Sequence, residues 1–246
     1  MYCYLYDDYI QENKRFEKEL LKIENRLTDL GIAGKISRLA LFRNAEEMIR
    51  DEIDRGVETV VVVGNDETVR KTINVLSDTN VVLGIIPIGP NNELAKKLGM
   101  PEGVLACDVL SARRVEEIDV GTINGRKFIT GIRIPDFKAE LMADDGKFRI
   151  TATSKSSLEI RNLQEDSDPT DGILHAVIQS QVREQKLFGR MITTQSILPF
   201  TSLAIRADKP FSLLADGLVM EGTRFDIGIE PKTLKIITGK ERMFQA

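Results

Sequence analysis

A chain of 246 residues with 42% hydrophobic residues contains enough apolar sequence for one large or two small globular domains. Its net charge of −4 excludes a general electrostatic attraction to nucleic acid, and no apolar run approaches the roughly 20 residues of a membrane-spanning helix. Two distant cysteines, and an acidic N-terminal segment in place of the basic start of a signal peptide, predict a cytoplasmic protein.

Strands and helices alternate up to about residue 117. In chain order, the pattern predicts a strand Tyr2–Tyr6, a helix Asn13–Leu30, a helix that Gly56 closes, a strand Val60–Val63, a helix Thr68–Leu76, a strand Val81–Ile88 and a helix Asn92–Leu98. The continuous β-branched run at Val60–Val63 is typical of a strand that is covered on both faces. The alternation predicts an α/β domain over residues 1–117 with a doubly wound, mostly parallel sheet.

From residue 118 onward the pattern becomes all-β. Asn124-Gly125 is a strong signal for a two-residue hairpin turn. Further short strands are predicted at Phe148–Thr153, Leu158–Ile160, Ile173–Val182, Ser202–Arg206, Phe211–Leu214, Arg224–Ile229 and Leu234–Ile237. We therefore expect a second domain over residues 118–246, built as a β-sandwich.

Two polar loops follow the apolar strands of the first domain. Gly64-Asn65-Asp66-Glu67-Thr68 comes directly after the first run, and Gly89-Pro90-Asn91-Asn92-Glu93 comes after the second. Each loop leads into a predicted helix. In α/β folds such loops direct backbone N–H groups and the positive end of a helix dipole toward one place beyond the strand ends. The pattern predicts a site for phosphate groups.

These loops resemble those of the diacylglycerol kinase catalytic domain family, which includes bacterial lipid kinases and sphingosine kinases. The family's GGDGT loop is matched by residues 64–68, and its GIIPLGTxNDxA segment by residues 84–95. Residues 118–128 resemble its IDxGxxNGxxF hairpin, and Asp216-Gly217-Leu218 falls where the family has Asp-Gly-Glu. The resemblance covers most of the chain.

The resemblance implies ATP and Mg²⁺ as cofactors and a lipid or other small hydroxyl compound as substrate. The implied nucleotide-binding residues are Gly64, Asn65, Glu67, Thr68, Gly89, Asn91 and Asn92. Asp66 and Asp216 take the catalytic positions, and Leu218 occupies the position of the general base. The resemblance also implies a structural Mg²⁺ held by Asp171 with carbonyl groups of Asp168 and Ile173. Nucleic acid is not expected as a partner, membrane contact is at most peripheral, and a homodimer is left open.

Four departures from the family pattern face the nucleotide. Asp7-Asp8 follows the first strand, where the family has a phosphate loop that contains a hydroxyl group and glycine, and Glu67 adds a negative charge. Pro90 removes a hydroxyl group and a backbone N–H from the second loop. Leu218 cannot accept a proton. We therefore expect a catalytically degenerate lipid-kinase-like protein with a binding or regulatory role. Two alternatives remain at this point: an active ATP-dependent lipid kinase whose base is Asp216 or Glu221, and an NAD-kinase-related phosphotransferase.

Overall fold

A computed structural model provides the coordinates of the protein. It describes residues 1–38, 45–77, 79–144, 146–151, 156–164, 167–183 and 191–244. The chain divides into two compact units. Unit 1 contains Met1–Ile118 and Lys232–Ala246, and unit 2 contains Asp119–Pro231.

Unit 1 is an α/β domain with a parallel sheet. Its elements are β1 (Tyr2–Tyr6), α1 (Asp8–Glu12), a 3-10 turn (Lys14–Phe16), α2 (Glu17–Asp29), β2 (Lys35–Arg38), α3 (Ala45–Asp54), β3 (Thr59–Gly64), α4 (Asp66–Leu76), β4 (Val82–Pro87), α5 (Glu93–Lys97) and α6 (Leu105–Ala112). The strand order β2-β1-β3-β4 is parallel throughout. Every residue of β3 and β4 is buried, as a sheet with covered faces requires.

The predicted elements of unit 1 are present, and three elements were not predicted. The helix expected over Asn13–Leu30 forms as the 3-10 turn followed by α2. The sequence pattern missed β2, which is short and polar, and α6, whose apolar residues lack a clean helical period. It also missed α1, which begins where the Asp7 side chain accepts a hydrogen bond from the Tyr9 N–H.

Unit 2 is a predominantly antiparallel β-structure. Its strands are β5 (Val115–Ile123), which begins in unit 1, β6 (Arg126–Phe128), β7 (Gly131–Phe137), β8 (Glu140–Ala143), β9 (Phe148–Thr151), β10 (Ser156–Arg161), β11 (Leu174–Arg183), β12 (Met191–Phe200), β13 (Ser202–Ala215) and β14 (Leu218–Ile237), which ends in unit 1. One group of strands runs in the order β12-β11-β10-β7-β13-β14. Along its first part β13 pairs instead with β8, which in turn pairs with β9.

Both strand groups contribute side chains to one hydrophobic core. Phe128, Phe137, Phe200 and Phe225 are almost fully buried there. The predicted hairpin is confirmed, because Ile123 pairs with Arg126 around Asn124 and Gly125, which both have positive φ. The expected fold class is therefore confirmed: a parallel sheet with helices precedes a large antiparallel β region.

Several predicted short strands are parts of longer ones. Ser202–Arg206 and Phe211–Leu214 belong to β13, which has a register shift between Arg206 and Phe211. Arg224–Ile229 and Leu234–Ile237 are both contained in β14. The expected strand Phe148–Thr153 forms as β9, and its residues 152 and 153 lie outside the described residues.

The grouping of the C-terminal segment differs from the division at residues 117 and 118 that the sequence indicated. Lys235 and Ile236 of β14 pair in parallel with β4. The Gly239 N–H then donates to the Leu98 carbonyl at 2.8 Å. These contacts place residues 232–246 with unit 1. No helix in the described ranges is both long and apolar enough to cross a membrane.

Candidate functional site

The two polar loops predicted to bind phosphate lie side by side in unit 1, because β3 and β4 are neighbouring parallel strands. The loops are also hydrogen-bonded to each other. The Ile88 N–H donates to the Gly64 carbonyl at 3.1 Å, and the Asp66 N–H donates to the Asn91 carbonyl at 3.0 Å. The fold therefore brings together the two loops that the sequence singled out.

The first loop is closed by a carboxylate from the end of β1. The Thr68 hydroxyl donates a short hydrogen bond to Asp7 Oδ2, and both side chains are buried. A Cβ atom at Gly64 would lie 3.0 Å from Asp7 Cβ and 3.3 Å from Asp7 Oδ2. The space that a glycine leaves open for an approaching ligand is therefore filled by Asp7.

The Asp7 carboxyl group is held in a position that disfavours its charge. Burial raises its pKa above the ordinary value, and the hydrogen bonds from Thr68 and from the Tyr9 N–H oppose that shift only in part. The neighbouring Asp8 adds to the rise through its side-chain hydrogen bond and its like charge. The two carboxyl groups lie close together, and the Tyr9 N–H donates to Oδ1 of both, at 2.9 and 2.8 Å. A second anion brought to this loop would meet the same unfavourable surroundings.

The Asp66 side chain caps helix α5 rather than α4, the helix in which it lies. Its two carboxylate oxygens lie 3.1 and 3.3 Å from the Leu94 nitrogen. The Glu93 and Ala95 N–H groups also lower its pKa, although burial outweighs them and raises it overall. Asn92, the residue before α5, makes no side-chain cap, so Asp66 caps this helix across the two loops. The hydrogen bonds to α5 thus fix the orientation of the Asp66 carboxylate between the two loops.

The second loop is shaped by two left-handed residues and covered by aromatic rings. Gly89 has φ +81° and Asn91 has φ 65°. The Asn92 side-chain amide donates to the Gly89 carbonyl at 2.7 Å. A Cβ atom at Gly89 would meet Tyr9 at 3.6 Å and Phe16 at 3.7 Å. The segment after β1 therefore lies over both glycines.

Glu67 points away from the loops. Its side chain is 64% exposed and pairs with Lys71 at 2.9 Å, one helical turn further on. Asn65 caps α4 by accepting a hydrogen bond from the Glu67 N–H at 2.9 Å. The sequence pattern indicated Glu67 as an added negative charge that faces the nucleotide. In the structure the carboxylate that lies against the first loop is Asp7.

Asp216 and Leu218 belong to unit 2, where their surroundings differ sharply. Asp216 accepts hydrogen bonds from the consecutive N–H groups of Ile129, Thr130 and Gly131, at 2.7, 2.8 and 3.1 Å, and from the Thr130 hydroxyl. Leu218 follows it at the start of β14 with 44% of its surface exposed. Both oxygens of Asp216 are thus engaged in holding a turn, which favours a structural role.

The residues predicted to hold a structural Mg²⁺ form local turns. Asp168 Oδ1 accepts from the Thr170 N–H at 2.9 Å, and Asp171 Oδ1 accepts from the Ile173 N–H at 2.8 Å. The described residues contain no group of three His, Cys, Asp or Glu side chains arranged for a metal ion. Sequence reasoning missed one nearby contact, in which the Gly172 N–H donates to the buried Asp119 at 2.7 Å. The Mg²⁺ site remains a prediction. The hydrogen bonds that the Asp168 and Asp171 carboxylates accept within their own turns do not favour it.

Comparison with known proteins agrees with the motifs. Residues 12–123 match the family model of the diacylglycerol kinase catalytic domain. A diacylglycerol kinase of Bacillus subtilis is 28% identical over 118 residues, which cover 46% of this chain and 39% of that protein. A diacylglycerol kinase of Mycobacterium tuberculosis is 33% identical over 82 residues, which cover 32% of this chain and 26% of that protein. The matched stretches thus span well under half the length of these curated relatives.

The fold similarity extends further than the sequence similarity. The crystal structure of a diacylglycerol kinase from Bacillus anthracis superimposes with a TM-score of 0.77 over 97% of both chains, at 16% sequence identity. At this identity the superposition establishes the fold alone. Together with the family match, it confirms the resemblance that the motifs indicated: this chain is diacylglycerol-kinase-like in fold, and its residues 12–123 match the model of the diacylglycerol kinase catalytic domain.

Proposed function

We propose that this chain is a catalytically degenerate relative of the lipid kinases, a cytoplasmic protein with a binding or regulatory role. The observation that carries the proposal is the occupation of the first phosphate-type loop by the Asp7 carboxylate, which lies where the family has a hydroxyl- and glycine-containing loop. Asp7 covers Gly64 and engages Thr68. Phosphoryl transfer depends on positioning and on neutralising negative charge, and a carboxylate at this loop opposes both.

The base position supports the same proposal. Leu218 offers no lone pair to a substrate hydroxyl, and its neighbour Asp216 is engaged by four hydrogen-bond donors. A general base contributes about 10²–10⁴ to a reaction rate. Because the contribution of a general base is lost and the first phosphate-type loop is closed, we expect little phosphoryl transfer.

Titration with ATP and Mg²⁺, followed by thermal shift and calorimetry, tests the proposal. We expect no stabilisation of the unmodified chain at millimolar ATP, whereas a ligand at 100 times its Kd would add about 2.7 kcal/mol. We also expect no transfer of γ-phosphate to diacylglycerol, sphingosine or NAD. Micromolar ATP affinity with turnover on any of these acceptors would overturn the proposal, and Glu221 would then be the first residue to test as a displaced base.

A matched pair of variants isolates the closing carboxylate. Asp7→Ser removes the group that lies over Gly64 and should give a measurable ATP-dependent stabilisation. Asp8→Ser removes the same charge one residue further on, where the side chain is half-buried, and should give none. The melting temperature of each variant without ligand shows whether it folds. Equal responses of the two variants would mean that net charge, rather than the position of Asp7, keeps ATP away.

A further inference from the structure

An open cavity of about 340 Å³ lies on the outer face of the β-structure of unit 2. Strand β13 directs Leu203 and Ile205 into the hydrophobic core of the unit. The residues that alternate with them, Ala204 and Arg206, therefore point to the opposite face, where they line the cavity. The volume of the cavity lies within the range of about 300–1,000 Å³ that is usual for small-molecule sites.

The register of three strands brings the side chains of this cavity together. Ala204 of β13 pairs with Met142 of β8 on one side and with Asp226 of β14 on the other. Two positions further along β13, Arg206 lies directly opposite Arg224 of β14. All five residues line the cavity. It therefore has a short apolar floor, made by Met142 and Ala204, beside two guanidinium groups.

The two arginines are not neutralised to the same extent. The Arg224 Nε and Nη2 groups donate to Asp226 Oδ1 at 3.1 and 3.0 Å. The Arg206 guanidinium has no hydrogen-bond or ion-pair partner among the described residues. Glu140 lies opposite Arg206 on β8, but its carboxylate pairs with Arg149 at 3.0 Å. Because like charges directly opposite each other destabilise paired strands, an anion between Arg206 and Arg224 would be stabilising.

The donors of the cavity fit a phosphate group better than a carboxylate. A guanidinium group presents a planar set of N–H donors, which binds either anion through two parallel hydrogen bonds. Arg206 offers all of its donors, and Arg224 keeps those of Nη1. The terminal oxygens of a phosphate monoester can accept from two guanidinium groups at once. Its charge of about −1.5 to −2 at pH 7 also exceeds that of a carboxylate.

We propose that this cavity binds a phosphate monoester, with the phosphate group between Arg206 and Arg224 and the rest of the ligand over Met142 and Ala204. Asp226 limits the affinity, because it competes for Arg224 and repels the ligand. All of these residues belong to unit 2. The site is therefore independent of whether the two polar loops of unit 1 bind nucleotide.

Calorimetric titration with glycerol 3-phosphate tests the proposal, with glycerol as the control for the uncharged part. At low salt the unmodified chain should bind glycerol 3-phosphate with a Kd below about 1 mM, and should not bind glycerol. Higher salt should weaken binding, because it screens exposed charges. Arg206→Gln should weaken binding about tenfold or more, since the hydrogen bonds to the charged phosphate are lost. Arg133→Gln removes an exposed charge of the same sign outside the cavity and should bind like the unmodified chain.

Two further variants separate the geometry of the site from its charge. Arg206→Lys keeps the charge but replaces the planar set of donors by one ammonium group, so its affinity should lie between those of Arg206→Gln and the unmodified chain. Asp226→Asn removes the competing carboxylate and should bind several-fold more tightly. The melting temperature without ligand checks folding. Arg206→Gln should not lower it, because the substitution removes a like-charge pair.

A sedimentation experiment identifies the source of the phosphate group. Phosphatidylcholine vesicles that contain phosphatidic acid present the monoester as a lipid headgroup. Sedimentation that requires Arg206 would assign a headgroup, and binding of glycerol 3-phosphate without sedimentation would assign a soluble ligand. An ATP response that persists in Arg206→Gln does not come from this cavity, so the proposed function is tested separately.

Three results would overturn the proposal. The first is the absence of binding to both glycerol 3-phosphate and the vesicles. The second is binding that Arg206→Gln and Asp226→Asn leave unchanged, which would place the phosphate elsewhere. The third is an equal loss in Arg133→Gln and Arg206→Gln, which would mean that net charge alone attracts the anion.

Discussion

The two units of this chain differ in how far the strands of their sheets are buried. In unit 1, strands β3 and β4 are buried along their whole length, and polar groups emerge only where the strands end. In unit 2, strand β12 is exposed along most of its length. The comparison teaches that the candidate site of unit 1 forms where fully buried strands end, whereas unit 2 combines a hydrophobic core with a strand whose side chains are largely exposed to solvent.

Carboxylates also differ between the units. Asp7 is buried and Asp66 is half-buried, and desolvation raises the pKa of each, so the charged form of each is disfavoured in the folded chain. Asp216 instead meets three consecutive backbone N–H groups and a hydroxyl. Carboxylates that the motif comparison considered together therefore have different surroundings and different structural roles. Four predictions sharpen this comparison.

The largest effect is expected from truncating a strand inside unit 1. Ile86→Ala in β4, where Ile86 is fully buried, should lower the free energy of unfolding by about 2–5 kcal/mol, because it removes buried methyl groups and leaves a cavity. Val219→Ala in unit 2, where Val219 is 64% exposed, should change it by less than about 0.5 kcal/mol. Chemical denaturation measures both, and similar losses would remove the contrast between the units.

Removing the carboxylate that holds the turn of unit 2 should come next. Asp216→Ala leaves the N–H groups of Ile129, Thr130 and Gly131 without their acceptor, and should cost about 2–4 kcal/mol. Asp208→Ala, which removes an exposed carboxylate on the preceding strand β13, is the control and should be nearly neutral. A neutral Asp216→Ala would show that this carboxylate is not structural and would reopen a catalytic role.

The third prediction concerns pH. Because the pKa of Asp7 is raised, the folded chain binds this proton more tightly than the unfolded chain, and the contribution of Asp7 to stability falls as pH rises through the folded pKa. Asp7→Asn removes that dependence. The melting temperature of Asp7→Asn minus that of the unmodified chain should therefore increase between about pH 4 and pH 7, and each 1 kcal/mol appears as about 2–4 °C. Asp8→Asn is the matched control, and a constant difference for Asp7→Asn would contradict the burial of its charge.

The smallest effect is expected at the start of α4. Asn65→Ala removes the side chain that accepts from the Glu67 N–H, and should cost about 1 kcal/mol in thermal or chemical unfolding. Glu67→Ala breaks only the exposed pair with Lys71 and should cost less than about 0.5 kcal/mol. A larger loss from Glu67→Ala than from Asn65→Ala would mean that the first loop is organised differently from the structure described above.

Much of the architecture was predictable because it depends on neighbours in sequence. The β-branched run before Gly64 and the apolar run before Gly89 predicted adjacent buried strands, and Asn124-Gly125 predicted a hairpin through its left-handed preference. The motifs at residues 64–68, 84–95 and 118–128 indicated the resemblance to the diacylglycerol kinase catalytic domain, whose family model matches residues 12–123. These features follow from local side-chain pattern and backbone preference, and the sequence by itself determined them.

Contacts between distant residues were decided only by the tertiary structure. Asp7 reaches Thr68 across 61 positions, and Asp66 caps α5 from 28 positions away. Asp216 reaches the turn at Ile129 across 87 positions. Nor does local pattern reveal that β14 ends beside β4, or that β12 lies at one end of the strand order of unit 2. Pairing and strand order depend on how the whole chain closes, so the sequence predicted which groups the loops contain but not which carboxylates lie against them.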